Sequence, residues 1–204
     1  VPITLSSCMV SIITIIDTSL VQGQLQNALG YSLDKTRVLY GTYASGMNLY
    51  NLPASFMVAL TSSIIPAVSA ALARRDSRGA SSIVASSLRI TGLLAFPMAA
   101  GLAVMAQPIM LLLYPKYDSV LGGSLLSILG IASAFVSIML ISNSILQAHG
   151  HPNLPIVTML IGGVVKIIVN YNLVAIPAVN IHGAPVGTLL CFAIAALANL
   201  FLVR

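Results

Sequence analysis

Two ionisable side chains lie inside long apolar stretches of this sequence, where any chemistry is most conspicuous. Asp17 and Lys166 each fall within a run long enough to cross a membrane, and Asn170 follows Lys166 by four positions. A charge at the centre of a bilayer costs roughly 2.5–3.5 kcal/mol, so it normally faces a partner or a cavity. Residues four apart share a helical face, so Lys166 and Asn170 are expected to point the same way.

The depth of these residues predicts that they meet. If both spans begin at the cytoplasmic side, Asp17 lies roughly 22 Å into its span, Lys166 roughly 18 Å and Asn170 roughly 24 Å. We therefore expect all three in one layer. Three interpretations stay open: a structural Asp17–Lys166 pair, a coupling-ion site with oxygen ligands from Asp17 and Asn170, or a cavity in which Lys166 meets an anionic substrate.

Polar side chains also follow one face of the span that carries Asp17. Their spacing of three and four residues is that of a helix face: Thr4, Ser7, Ser11, Thr14 and Thr18. The next span repeats the pattern more loosely: Asn48, Asn51, Ser55 and Ser62. Small hydroxyl residues also serve helix packing. With that alternative open, Lys166, Thr14, Thr18, Asn51 and Ser55 are candidates for lining a cavity or contacting a substrate.

The elements that must position these residues are transmembrane helices. The chain is 58% hydrophobic and 6% charged, whereas soluble domains carry roughly 25% charged residues. Crossing a bilayer takes roughly 20 apolar residues, and six stretches reach that length: 2–21, 47–73, 90–113, 124–148, 154–176 and 183–203. The sequence predicts an all-α membrane protein with one domain, 1–204, of six transmembrane helices. A short amphipathic stretch, 36–45, has no assigned place.

The basic residues predict the orientation of the chain. An excess of Lys and Arg marks cytoplasmic loops, and five basic residues fall on the side of both chain ends against three on the other side: Arg74, Arg75, Arg78, Arg89 and Arg204 against Lys35, Arg37 and Lys116. Both ends are therefore expected in the cytoplasm. These residues are too dispersed for a nucleic-acid interface, so no nucleic-acid partner is expected.

The remaining polar residues do not form a catalytic or metal-binding pattern. His149 and His151 flank a glycine with no cysteine or carboxylate at ligand spacing. We expect no metal site, no cofactor and no enzymatic activity. A coupling monovalent cation such as Na⁺ or H⁺ is the one small partner that the intramembrane Asp17 leaves open.

Short motifs along the whole chain carry a family resemblance. They are PITLSS (2–7) leading to IDT (16–18), NLP (51–53), PAVS (66–69) through ARRD (73–76), FPMAAGL (96–102), LQAHGHP (146–152), VK (165–166) with NY (170–171), and HGA (182–184) with GT (187–188). In this order they resemble the polysaccharide-exporter branch of the multidrug/oligosaccharidyl-lipid/polysaccharide (MOP, MATE-like) superfamily. The closest group is the stage V sporulation protein B-like group, relatives of the MurJ-type lipid II flippases.

The resemblance implies two six-helix lobes that face each other across a central cavity in the bacterial plasma membrane. This chain resembles the second, C-terminal lobe, and its implied partners are the bilayer, a lipid-linked sugar and a missing N-terminal lobe. Such proteins move lipid-linked sugars to the outer leaflet by alternating access. The first helix of this lobe would be a moving helix and the fifth would contribute cation ligands, which places those roles on Asp17 and on Asn170, with Lys166 as a further candidate.

The first functional hypothesis is therefore a flippase for a polyprenyl-pyrophosphate-linked cell-wall or polysaccharide precursor. One alternative is a cation-coupled multidrug exporter of the same superfamily, which predicts a cavity lined by aromatic and acidic side chains. Another is a non-transporting scaffold for cell-wall synthesis, which predicts no need for Asp17 and Lys166. The arginine-rich substrate contacts of flippases would lie largely in the missing lobe.

Overall fold

The computed structural model describes residues 2–203, and within the first helix it describes side chains from residue 14 onward. In this described part the chain is helical without a strand: α1 (Pro2–Asn27), α2 (Leu33–Ala73), α3 (Ser77–Val104), α4 (Ala106–Leu113), α5 (Ser119–Ala148), α6 (Leu154–Val174), a 3₁₀ turn (Asn180–His182) and α7 (Gly183–Val203). The expected all-α class is confirmed.

Five helical segments of the described residues are long and apolar enough to cross a membrane: Leu33–Ala73, Ser77–Val104, Ser119–Ala148, Leu154–Val174 and Asn180–Val203. The first expected span, 2–21, lies within α1, but most of its side chains are outside the described residues. The count of six spans therefore stays a prediction.

Polar residues fix where several helices begin. Asp76 accepts a hydrogen bond from the Gly79 backbone N–H (2.8 Å) at the start of α3. Asp118 does the same for Val120 (2.8 Å) at the start of α5. Side-chain oxygens at such positions satisfy backbone donors that have no partner within the helix. These two loop carboxylates therefore have a structural role.

The second helix is longer than the sequence pattern indicated. α2 has 41 residues, which corresponds to about 60 Å, twice the thickness of the hydrocarbon core. The unassigned stretch 36–45 is its first part, and the expected span 47–73 continues it without a break. The charges of Lys35 and Arg37 and the amide of Asn48 lower the local apolar content, so hydropathy alone placed the start of this element too late.

The third expected span, 90–113, consists of two helices rather than one. α3 begins earlier, at Ser77, and ends at Val104, and the short α4 follows after Met105. Helix α5 packs along both pieces. The Ser127 hydroxyl donates to the Ala103 carbonyl (2.9 Å) next to the interruption, so α5 satisfies a backbone acceptor there.

The packing of the remaining helices creates the space in which the polar residues lie. α5 contacts α2, α3, α4 and α7, and α6 lies along α7. α1 packs against α6 and, less extensively, against α2. An open cavity is left between α1, α2, α6 and α7.

Candidate functional site

A buried polar cluster joins α1 to α6. The Lys166 ammonium nitrogen lies 3.0 Å from Asp17 Oδ2, and the Asn170 side-chain amide donates to Asp17 Oδ1 (2.5 Å). Asp17 and Lys166 are each 6% exposed and Asn170 is 1% exposed. The expectation that these three residues share one layer is confirmed, and each oxygen of the carboxylate has its own donor.

The cluster is closed on the α7 side by a glycine. A Cβ atom at Gly187 would collide with Asn170 Oδ1. This amide oxygen is buried and has no hydrogen-bond partner within the described structure. Gly187 therefore provides the space that lets Asn170 turn its amide nitrogen towards Asp17.

Asp17 differs in its surroundings from the other acidic residues. The chain has four acids, and Asp34, Asp76 and Asp118 are all exposed at the beginnings of helices. Asp34 pairs loosely with Arg37 at 3.9 Å. Asp17 is thus the acid whose charge is removed from water, and such a group requires a paired cation.

The cluster forms part of the wall of a cavity of about 380 Å³. Residues of α1, α2, α6 and α7 line it: Thr14, Asp17, Tyr40, Tyr43, Ala44, Met47, Asn48, Tyr50, Asn51, Met159, Lys166, Cys191 and Phe192. One acid, one base, two amides and four aromatic rings therefore face the same space. Such a lining suits a ligand with both polar and apolar parts.

Two tyrosines of α2 connect this helix to its neighbours across the cavity. The Thr18 hydroxyl donates to the Thr14 carbonyl (2.9 Å), so its oxygen accepts from the Tyr40 hydroxyl (2.7 Å). In the same way the Thr188 hydroxyl donates to the Ala184 carbonyl (3.0 Å) and accepts from Tyr43 (3.1 Å). α2 is thereby bonded to α1 on one side and to α7 on the other.

The expected cavity residues have different outcomes. Thr14 and Asn51 lie in the cavity lining, together with Lys166. Thr18 lies next to it through its bond to Tyr40. Ser55 is exposed one turn further along α2, and its hydroxyl donates to the Asn51 carbonyl (3.0 Å), outside the lining. The earlier part of the α1 stripe, Thr4, Ser7 and Ser11, is outside the described side chains.

Several residues of the site were not singled out by the sequence pattern. Tyr40 and Met47 precede the expected cavity residue Asn51 by eleven and four positions along α2, which is the spacing of one helix face. This regularity was visible in the sequence. Gly187 and Thr188 on α7 belong to the motifs of the family resemblance, but nothing in the sequence assigned them to this site, because glycine and threonine are common in membrane helices.

A second polar cluster holds α5, α6 and α7 together away from the cavity. The Thr158 hydroxyl donates to Asn199 Oδ1 (2.7 Å), and the Asn199 amide donates to Asn143 Oδ1 (2.6 Å). Side-chain amides that bond across helices contribute roughly 0.6 kcal/mol on average in membrane proteins. This cluster is uncharged and has the character of a packing contact.

Comparison with known proteins identifies the family. The family model of the lipid II flippase MurJ matches residues 3–204. The chain belongs to the MurJ family. A Bacillus subtilis (strain 168) protein described as the uncharacterised membrane protein YabM is 26% identical over 204 residues, which are 100% of this chain and 37% of that protein. The chain thus spans little more than a third of the relative it matches. No solved structure matches it significantly.

Membership of the MurJ family confirms the resemblance that the sequence motifs indicated. The family is one of multi-pass membrane flippases, which are transporters and not enzymes. The narrower likeness to the stage V sporulation protein B-like group stays a prediction, and so does any connection with sporulation. The side of the membrane on which the chain ends lie is likewise a prediction.

Proposed function

We propose that this chain forms the C-terminal lobe of a flippase that moves a polyprenyl-pyrophosphate-linked sugar to the outer leaflet of the bacterial plasma membrane. The family supports this class of substrate. Because the chain covers 37% of its relative, a further lobe of the same protein is proposed to complete the central cavity. Peptidoglycan precursors and polysaccharide precursors are the two kinds of polyprenyl-pyrophosphate-linked sugar that this proposal includes.

The observation that carries the proposal is the two-point attachment of Asp17 on α1 to Lys166 and Asn170 on α6. Alternating access requires an element with two arrangements of similar free energy. A buried ion pair is suited to this role. The cost of removing both charges from water offsets much of their Coulomb attraction, so the paired and the separated, hydrated arrangements can have similar free energies. When water enters the cavity, Asp17 and Lys166 gain hydration in exchange for their contact, and α1 is free to move.

The cavity lining is compatible with the polar part of such a substrate. Asn48 and Asn51 are exposed on the cavity side of α2, and side-chain amides both donate to and accept from hydroxyl groups. Lys166 lies among the same lining residues and would attract a pyrophosphate. Asp17 would hold the Lys166 ammonium until the pyrophosphate of the substrate competes with Asp17 for this ammonium.

The test is transport by the complete protein in proteoliposomes that contain a polyprenyl-diphosphate-linked disaccharide. The readout is the fraction of substrate that a membrane-impermeant reagent reaches. Asp17→Asn removes the charge but keeps the shape, and we expect it to slow transport roughly tenfold, the scale of a coupling free energy between two states.

Asp34→Asn is the matched control for this experiment. It removes a carboxylate whose side chain is 94% exposed and whose pairing with Arg37 is loose, and such surface pairs contribute little. It should transport like the wild type. Full activity of the Asp17→Asn protein would contradict a role of the Asp17–Lys166 contact in transport. Absence of substrate movement by the wild type would contradict the flippase function itself.

The aromatic lining favours one second candidate, an exporter of lipophilic cations. Tyr40, Tyr43, Tyr50 and Phe192 all line the cavity together with Asp17, and aromatic faces attract cations. Efflux of a lipophilic cationic dye from cells that express the complete protein tests this candidate. Dye efflux that depends on Asp17, without movement of the lipid-linked sugar, would favour the exporter.

A further inference from the structure

The residues around Asp17 do not fit a bound metal cation. Sodium-like cations are coordinated by oxygen atoms, and Asp17 is the charged ligand that such a site would need. Its Oδ1 accepts from the Asn170 amide nitrogen (2.5 Å), and its Oδ2 contacts the Lys166 ammonium (3.0 Å). Both oxygens therefore face nitrogen donors of the protein.

The local charge is also already balanced. Lys166 supplies one positive charge at contact distance from the single carboxylate of the cluster, and both groups are 6% exposed. A free cation bound to Asp17 would lie next to the ammonium in surroundings that screen charge poorly, where like charges repel strongly.

Asn170 is held in an orientation that favours the ammonium over a metal. Its amide nitrogen points to Asp17, and its oxygen lies in the space that the missing Cβ of Gly187 leaves on α7. The oxygen that the expected ion site required of Asn170 is thus directed away from the carboxylate. The position next to the Asp17 carboxylate is thus occupied by the Lys166 ammonium and the Asn170 amide nitrogen.

We propose that the Lys166 ammonium is a tethered cation that takes the place of a free coupling Na⁺ at Asp17. The inference rests on the proposed flippase function and adds to it the identity of the cation at this site. Because the ammonium is covalently attached to α6, it stays with the protein through every cycle. Movement of α1 is then coupled to separation of Asp17 from Lys166 and does not require uptake of Na⁺.

The first test replaces Na⁺ by N-methyl-D-glucamine on both sides of proteoliposomes that contain the complete protein. The wild type should transport at the same rate in both media, and its melting temperature should not differ between them. Lys166→Asn removes the ammonium and adds an oxygen. We expect it to lose transport roughly tenfold without Na⁺ and to recover part of it, with a higher melting temperature, when Na⁺ is added.

The outcomes separate this inference from the function on which it rests. Sodium-dependent transport or sodium stabilisation of the wild type would overturn the tethered cation while leaving the flippase intact. Undiminished transport by Lys166→Asn without Na⁺ would overturn it too. If the wild type moves no substrate in either medium, the flippase proposal fails, and the melting temperatures still decide whether Na⁺ binds.

A second variant restores the charge chemically and guards against misfolding of the first. Cys8 and Cys191 of this chain, and any cysteine in the rest of the complete protein, are replaced by alanine before Lys166→Cys is introduced. Alkylation with bromoethylamine then rebuilds a lysine-like ammonium at position 166, and alkylation with iodoacetamide gives a neutral side chain of similar length. Transport should return after the first treatment only. Equal transport after both treatments would contradict the proposal.

Discussion

The Asp17–Lys166 pair illustrates how much a buried charge depends on its partners. Withdrawing two charges from water is costly, and their attraction offsets this cost only when further hydrogen bonds complete the geometry. Here the second carboxylate oxygen is bonded by Asn170. Asn170 in turn depends on the absence of a side chain at Gly187. The hydrogen bonding of the Asp17–Lys166 pair therefore also depends on a residue of a third helix, Gly187 on α7.

Gly187→Ala tests this dependence. The new Cβ would displace the Asn170 amide from Asp17, and overpacking of this kind costs about 1–3 kcal/mol. We expect a lower melting temperature of the purified protein and slower transport. Gly101→Ala on α3 is the control, because a Cβ there meets no atom within 4 Å, and it should be neutral or slightly stabilising. Equal melting temperatures for the two variants would contradict the role of Gly187.

The sequence predicted the centre of the site and part of the cavity lining, but not the aromatic residues or the contacts between distant helices. Asp17 and Lys166 stand out because ionisable residues are rare inside membrane spans, and the fixed rise of a helix converts position into depth. Tyr43 and Thr188 are 145 residues apart and meet only through the packing of α2 on α7. Ser55 shares a face pattern with Asn51, yet it lies beyond the cavity. The spacing of residues in the sequence predicts which face of a helix a side chain lies on. What that face contacts is decided by the packing of the helices.

At the scale of the elements, the interruption between α3 and α4 is held by α5. A Cβ at Gly130 would lie 2.8 Å from the Ala103 backbone nitrogen and 3.1 Å from its Cα. The neighbouring Ser127 donates to the Ala103 carbonyl. Close backbone approach at a small residue, with a hydroxyl to satisfy the freed carbonyl, is a general solution for broken helices in membranes.

Gly130→Ala should therefore push α5 away from α3. Since the clash is with backbone atoms, it cannot be relieved by a side-chain rotation, and we expect a loss of about 1–3 kcal/mol of unfolding free energy. The melting temperature in lipid nanodiscs measures this loss. Gly92→Ala is the comparison, because the nearest atom to its Cβ is in Phe96 at 3.7 Å, an ordinary contact. A Gly130→Ala protein as stable as the Gly92→Ala protein would show that the helices adjust freely.

The boundaries of the elements were predictable where apolar runs end at strong turn signals. α7 begins at Gly183 and ends at Val203, as the sixth expected span does. α6 begins at Leu154, which is also the first residue of the fifth expected span. α3 begins before its apolar run, because capping by Asp76 extends the helix through polar residues. The break at Met105 had no clear signal, since Pro97 and Pro108 flank it without marking it.

At the scale of the whole molecule, the two polar clusters connect different sets of helices. The uncharged cluster of Thr158, Asn199 and Asn143 binds α5, α6 and α7 to one another. The charged cluster binds α1 to this group through Asp17. In the proposed flippase, α1 would therefore be the element that moves, and α5, α6 and α7 would stay packed against one another.

The basic residues of the connections predict how the chain is oriented in the membrane. Arg74, Arg75 and Arg78 are exposed in and beside the α2–α3 connection, and an excess of such residues keeps a loop in the cytoplasm. Lys116 lies exposed in the α4–α5 connection, which is expected on the opposite side. In a cysteine-free version of the complete protein, Lys116→Cys should react with a membrane-impermeant maleimide in intact spheroplasts, while Ser77→Cys should react only after lysis.

The same labelling experiment also decides whether α1 crosses the membrane. Tyr31 and Ser32 lie in the α1–α2 connection, and if α2 and α3–α4 each cross once, this connection lies on the side of Lys116. Ser32→Cys should then be labelled in intact spheroplasts, and a cysteine placed before α1 in the complete protein should not. Labelling of both would contradict a crossing by α1. It would also contradict the proposed movement of α1 within the membrane, although Asp17 and Lys166 would still be buried in the protein.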